Sequence, residues 1–145
     1  MKIDLSKIPV LILMLFSSIC VAQKDNAEQE INVKLTYNWF LAGIYDEAGN
    51  LVKDDSKSVE LNIAPDEKTF SGNTGCNAMR GPLLADKSGA IKLGPVESMR
   101  TKRCANAEKE KKILEMLDCV SRYRIEGKQL VLFCDEKPRL LFERH

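Results

Sequence analysis

Cysteine and histidine are the residue types here that could act as nucleophiles or soft metal ligands. The chain has five cysteines and one histidine. Cys20 lies in an apolar N-terminal stretch, which leaves Cys76, Cys104, Cys119 and Cys134 for the rest of the chain. No pair among these four has the close C-x₂₋₄-C spacing of a structural zinc site, and no histidine is near them in sequence. His145 is the last residue, so a cysteine nucleophile or a Ser-His-Asp arrangement would have to recruit its base from the chain terminus. Neither a metal, a cofactor nor a catalytic constellation is expected. An even number of cysteines in a small exported domain instead reads as two disulfides, and four cysteines allow three connectivities. A bond from Cys76 to Cys104, or from Cys119 to Cys134, would remove unfolded-chain entropy worth about 3 kcal/mol.

The segment Gly72-Asn73-Thr74-Gly75-Cys76-Asn77 is the most distinctive in the chain. A glycine-rich loop can cradle phosphate when a helix N-terminus or a Lys-Ser/Thr pair follows it. Met79-Arg80-Gly81-Pro82 follows here and does not begin a long helix. A tight strand connection with Cys76 cross-linked is therefore expected, with glycine where the backbone is unusual. Asp54-Asp55, flanked by Lys53 and Lys57, reads as a solvated loop rather than an acid–base pair. Alternating oxygen ligands for calcium are missing. Trp39, Phe40 and Tyr45 are expected in the core.

The elements that must position these residues begin after an N-terminal segment of a different kind. Lys2 and Lys7 precede a nearly continuous apolar run from Ile8 to Ile19, and Cys20-Val21-Ala22 then supplies small residues before Gln23. This is the order of a secretory signal peptide, expected over residues 1–22, with a polar leader over 23–33 and a folded domain over 34–145. The apolar run is short for a permanent membrane span, which needs about 20 residues. Lipid attachment at Cys20 is the alternative, which would give an outer-membrane lipoprotein instead of a soluble periplasmic or secreted chain. Cleavage after Ala22 would remove two of the 22 basic and one of the 21 acidic residues, leaving 20 of each. A nearly neutral domain generates no field for nucleic acid or an anionic membrane. The basic spots at Lys102-Arg103, Lys109 and Lys111-Lys112 lie among glutamates and read as a solvated face.

Apolar residues alternate at Val33, Leu35, Tyr37 and Trp39 and again at Val59, Leu61 and Ile63, the period of half-buried strands. Asp46 to Asn50 carries turn chemistry around Gly49, and Pro65-Asp66 ends the second strand. Gly81-Pro82, Ser88-Gly89 and Gly94-Pro95 punctuate the middle, framing short strands near Leu83-Leu84 and Ile91-Leu93. Asn106 to Leu117 predicts a helix, with Asn106 as N-cap and Glu108 and Glu110 complementing the dipole. Its apolar face is Ile113, Leu114, Leu117 and Val120. Strands follow around Tyr123-Ile125, Leu130-Cys134 and, after a break at Lys137-Pro138, Arg139-Glu143. Strand-rich order with one late helix predicts an α+β, β-rich domain: a curled antiparallel sheet or partly closed barrel with one packed helix.

This pattern resembles the META domain (HslJ-like) family from Leu35 to Phe142. Trp39-Phe40-Leu41 is similar to the family's W-x-L opening. Ser71-Gly72-Asn73-Thr74-Gly75-Cys76-Asn77 is similar to its S/T-G-x-x-G-C-N signature, with Gly72, Gly75, Cys76 and Asn77 as the motif positions. Thr101-Lys102-Arg103-Cys104-Ala105-Asn106 resembles its second cysteine and the entry to its helix, one residue shorter than the usual pattern. Met116-Leu117, Tyr123-Arg124-Ile125, Gly127 and Gln129-Leu-Val-Leu132 resemble its helix end and hairpin. The resemblance implies a compact barrel-like fold and pairing of Cys76 with Cys104, leaving Cys119 to Cys134. It also implies an exported or envelope-associated protein linked to heat or other stress. Together with the export signal and the missing catalytic constellation, this predicts a protein that is not an enzyme and acts by binding or stabilising an envelope protein. The alternative is a carrier of a small apolar ligand held between sheet and helix.

Overall fold

The computed structural model describes residues 34–99 and 104–145. The expected signal peptide, the leader, the possible lipid site at Cys20, and Val33 and Thr101 lie outside these residues. Among the described residues there are ten strands and one long helix: β1 (Asn38–Tyr45), β2 (Leu51–Lys53), β3 (Val59–Ala64), β4 (Thr69–Thr74), β5 (Ala78–Ala85), β6 (Ile91–Leu93), β7 (Glu97–Met99), α1 (Ala107–Cys119), β8 (Arg122–Glu126), β9 (Gln129–Cys134) and β10 (Lys137–Glu143). All strand pairs are antiparallel, in the order β6-β5-β4-β3-β1-β10-β9-β8, with β2 added to β1 and β7 added to β5.

The two ends of this sheet approach one another. A bridge joins Ala90 to Arg122, the Tyr123 N–H donates to the Gly89 carbonyl at 2.8 Å, and the Ile91 N–H donates to the Ser121 carbonyl at 3.1 Å. The expected α+β, β-rich curled sheet is thus a nearly closed barrel. Register irregularities at Leu41/Gly43 in β1 and Pro138/Leu140 in β10 add the local twist that helps a sheet curl.

Alternation along each strand decides what faces inward. Val59, Leu61 and Ile63 of β3 are buried and their neighbours are not. Across the sheet Trp39 lies opposite Leu61, Leu61 opposite Gly72, and Gly72 opposite Met79. Trp39, Phe70 and Phe142 are the bulkiest of a core that includes Leu35, Leu41 and Leu61 and is also entered by Ile113 and Leu117 from α1. Each such side chain contributes roughly 1.5–3 kcal/mol by leaving water. The Trp39 indole N–H finds the Leu35 carbonyl at 3.0 Å, so its one polar atom is satisfied in the core.

Several elements differ from expectation. The first strand begins at Asn38, not Val33: Lys34-Leu35 is helical, Tyr37 sits in a bend, and Leu35 reaches the core from outside any strand. Strand β5 runs unbroken through Gly81-Pro82. Pro82 is tolerated because β5 changes its second neighbour there, from β7 (opposite Ala78–Arg80) to β6 (opposite Leu83–Ala85). Gly81 is required because a Cβ would come within 2.7 Å of the Phe70 ring. Strand β10 likewise begins at Lys137 and includes Pro138, which precedes the stretch where β1 joins at Leu140. Trp39 is core as expected, while Phe40 and Tyr45 are only half-buried.

Candidate functional site

The glycine-rich segment closes the hairpin between β4 and β5. The Thr74 N–H donates to the Asn77 carbonyl at 2.9 Å, and the Asn77 N–H returns a bond to Thr74 Oγ1 at 3.1 Å. Gly75 takes φ +92° inside this turn, a conformation open to glycine. Its N–H is held by Asn73 Oδ1 at 2.7 Å. Gly72 serves differently: a Cβ there would collide with the Glu60 carbonyl across the β3–β4 ladder. The segment is a tight strand connection, as its residue types suggest.

The hairpin carries three buried polar side chains, or receives them from α1. Thr74, Asn77 and Glu110 are the buried polar residues among those described, and they bond to one another. Thr74 Oγ1 donates to Glu110 Oε1 at 2.8 Å. Asn77 Nδ2 donates to Glu110 Oε1 at 3.0 Å and lies 3.3 Å from Oε2. The same amide nitrogen is 3.1 Å from Cys104 Sγ, and Glu110 Oε2 is 3.2 Å from that sulfur. A buried carboxylate needs such partners, because leaving them unmade costs about 1–3 kcal/mol for each polar group.

The four cysteines form two pairs at disulfide distance. Cys76 and Cys104 have Cα atoms 5.7 Å apart, and Cys119 and Cys134 have Cα atoms 5.4 Å apart. Cys104 lies three residues before Ala107, the first residue of α1, and Cys119 is its last residue. The helix is therefore cross-linked at both ends, to the β4–β5 turn at its start and to β9 at its end.

The start of α1 differs from expectation at its N-cap. Asn106 occupies the N-cap position, but its side chain makes no capping hydrogen bond. Glu108 and Glu110 lie in the first turn as expected, but Glu110 is also buried and bonds to Thr74 and Asn77 of the β4–β5 turn, which the helix dipole alone does not predict. The missed signal is its place three residues before Ile113 and seven before Leu117, on the apolar face of the helix. Asp54 is not simply solvated either, since it forms an ion pair with Lys109 of α1. Burial works against its charge, but hydrogen bonds from Lys109 and Ser56 prevail and hold the carboxyl below its ordinary range. Lys109 and Glu110 thus bind two different loops of the barrel to one helical turn. His145 packs against the Phe40 ring at a centroid distance of 5.5 Å.

A nearly closed antiparallel barrel, with one helix cross-linked to it at both ends and a buried Thr-Asn-Glu cluster beneath, defines the class of domain. The chain belongs to the META domain family, whose sequence profile matches residues 32–145. No curated protein matches the chain in sequence. Among solved structures it is similar to a protein from Burkholderia xenovorans determined by NMR, with a TM-score of 0.65 and 20% identity over 83% of this chain and 87% of that one. It is also similar to a DUF4847-family protein from Bacteroides vulgatus, with a TM-score of 0.58 and 15% identity over 78% and 95% of the two chains. A further protein solved by NMR has a TM-score of 0.56 and 24% identity over 76% and 90%. At these identities the likeness is one of fold.

Proposed function

We propose that this chain is an exported, non-enzymatic META domain protein of the cell envelope, acting under heat or envelope stress by binding or stabilising an envelope protein. The observation that carries this reading is the cross-linking of α1 at both ends by two cysteine pairs. Such bonds persist in oxidising compartments, and the N-terminal sequence has the order of an export signal. A non-catalytic role is supported by how the polar groups are used: Thr74, Asn77 and Glu110 are buried and hydrogen-bonded to one another. The test has two arms. The intact mass of the protein from fractionated cells is expected to begin at Gln23 and to lack the thiol hydrogens of Cys76, Cys104, Cys119 and Cys134. An acylated Cys20 would make it a lipoprotein, and a full-length reduced chain in the cytoplasm would refute export. Deleting the gene is expected to sensitise cells to heat and to envelope-acting drugs; normal tolerance would refute the stress role.

A second reading, a carrier of a small apolar ligand, has one supporting observation. An open groove of about 400 Å³ lies between the β5–β6 hairpin and the end of α1, with exposed Leu84 at its edge. The barrel interior itself is filled by core side chains. Saturable binding of an apolar fluorophore, lost in Leu84→Asp, would favour this reading.

A further inference from the structure

We propose that the groove between the β5–β6 hairpin and the end of α1 is the contact surface for a second copy of this chain, which docks by placing its own Leu84 there. The groove has a volume of about 400 Å³, with exposed Ala85 and Ala90 and buried Val120 among its lining residues. Leu84 stands at its edge and is 66% exposed, the most open of the large apolar side chains among the described residues. A projecting apolar side chain is unfavourable in water, and the two alanines leave a hollow of the kind it would fill.

A knob beside a hollow on one surface is self-complementary. In a two-fold contact the same patch is buried on both partners, so Leu84 of each copy enters the groove of the other. A head-to-tail contact would instead leave one knob and one hollow uncovered in every pair.

Charge favours the same pairing. Lys92 lies opposite Leu84 in the β5–β6 ladder, so it stands beside the knob on the same face. Asp118 lines the groove from the last turn of α1. Neither takes part in an ion pair within the molecule among the described residues. The last turn of α1 contains no basic residue, so the negative end of the helix dipole and the Asp118 carboxylate lie together with no cation from the helix to offset them. When Leu84 of one copy enters the groove of the other, Lys92 travels with it and meets Asp118 and that helix end. The two-fold axis makes this attraction occur twice. Asp86, the other acid of the groove, is already held within its own loop by Ser88 and the Ala90 N–H, which leaves Asp118 to receive the lysine.

This contact does not rest on the export or stress reading, and it gives the groove a different occupant from a small apolar ligand. Its test is sedimentation velocity of the purified mature protein over a roughly hundredfold range of concentration. The average mass is expected to rise towards twice that of the monomer, and to rise less at high salt. A monomer at every concentration would overturn the proposal and leave the groove to a small ligand; a mass that climbs past the dimer would overturn its two-fold form. Leu84→Ser removes the knob at an exposed position and is expected to weaken association at least about tenfold. An unchanged dimer in that variant would put the contact elsewhere and sink the idea. Lys92→Asp and Asp118→Lys are each expected to weaken association about fivefold or more, and the double variant to recover to within about twofold of the native protein. Failure to recover would overturn the Lys92–Asp118 pairing. Circular dichroism checks that each variant is folded, and the native-protein mass decides if one is not.

Discussion

Asn77 and Glu110 are 33 residues apart in the chain, and their side chains meet at 3.0 Å in the interior. One ends the glycine-rich hairpin and the other lies in the first turns of α1. Their contact, completed by Thr74, holds the helix to the barrel where the Cys76–Cys104 bond holds it covalently. Glu110→Ala should strand two buried polar groups and cost about 2–4 kcal/mol, whereas Glu110→Gln, which keeps an acceptor oxygen, should cost about 1 kcal/mol. Urea denaturation of the two variants would check the order. Equal stability of Glu110→Ala and the native protein would mean that the cluster is not structural.

The two signature glycines should differ in sensitivity. At Gly72 an added Cβ meets the backbone carbonyl of Glu60, which cannot move without disturbing the β3–β4 ladder. At Gly75 the main obstacle is φ +92°, with the Ser58 hydroxyl 3.0 Å from an added Cβ. Gly72→Ala is expected to cost about 3 kcal/mol or more and Gly75→Ala about 1–2 kcal/mol. Thermal melts would read both, and a milder effect at Gly72 would contradict the close approach.

The two cross-links close loops of different length, with sequence separations of 28 and 15. Loop entropy predicts losses of about 3.5 kcal/mol for the Cys76→Ala/Cys104→Ala double variant and about 3 kcal/mol for Cys119→Ala/Cys134→Ala. Equilibrium unfolding under non-reducing conditions is the measurement. If either pair could be removed without loss, that pair would not be closed in the native protein.

Stability should fall in acid partly through Asp54. Its carboxyl is held below the ordinary value of 3.8 in the folded state, so the unfolded chain binds its proton first as pH falls. The contribution is present above that value and is lost as pH drops through the lower folded value. Asp46 and Asp86 shift in the same direction, held by hydrogen bonds from Asn50 and Ser88 respectively. Asp54→Asn is therefore expected to flatten part of the acid limb and to leave stability at pH 6–8 independent of pH, as in the native protein. Denaturation midpoints across an acid series would test this, and an unchanged acid limb would show that the Lys109 pair contributes nothing.

Local pattern was a sufficient guide wherever an element is decided by its own residues. The alternation of Val59, Leu61 and Ile63 became β3, Asp46 to Asn50 became a turn with Gly49 at φ +86°, and Ile113 with Leu117 became the buried stripe of α1. These follow from side-chain period and backbone sterics, which need no distant partner. The cysteine count and the Gly72–Asn77 signature likewise point to cross-linking and to the family from residue types and spacing alone.

Tertiary contacts decided the rest. Strands β2 and β7 have three residues each and no readable period, and they exist because β1 and β5 offer them an edge. Pro82 and Pro138 read as breaks because the sequence does not reveal where a neighbouring strand is absent. Glu110 read as a first-turn carboxylate suited to the helix dipole, and its burial was not legible because the stability of a carboxylate depends on what surrounds it. Only the folded chain brings Thr74, Asn77 and Cys104 to it, and burial with hydrogen-bond partners is a property of that three-dimensional neighbourhood, which residue order alone does not specify.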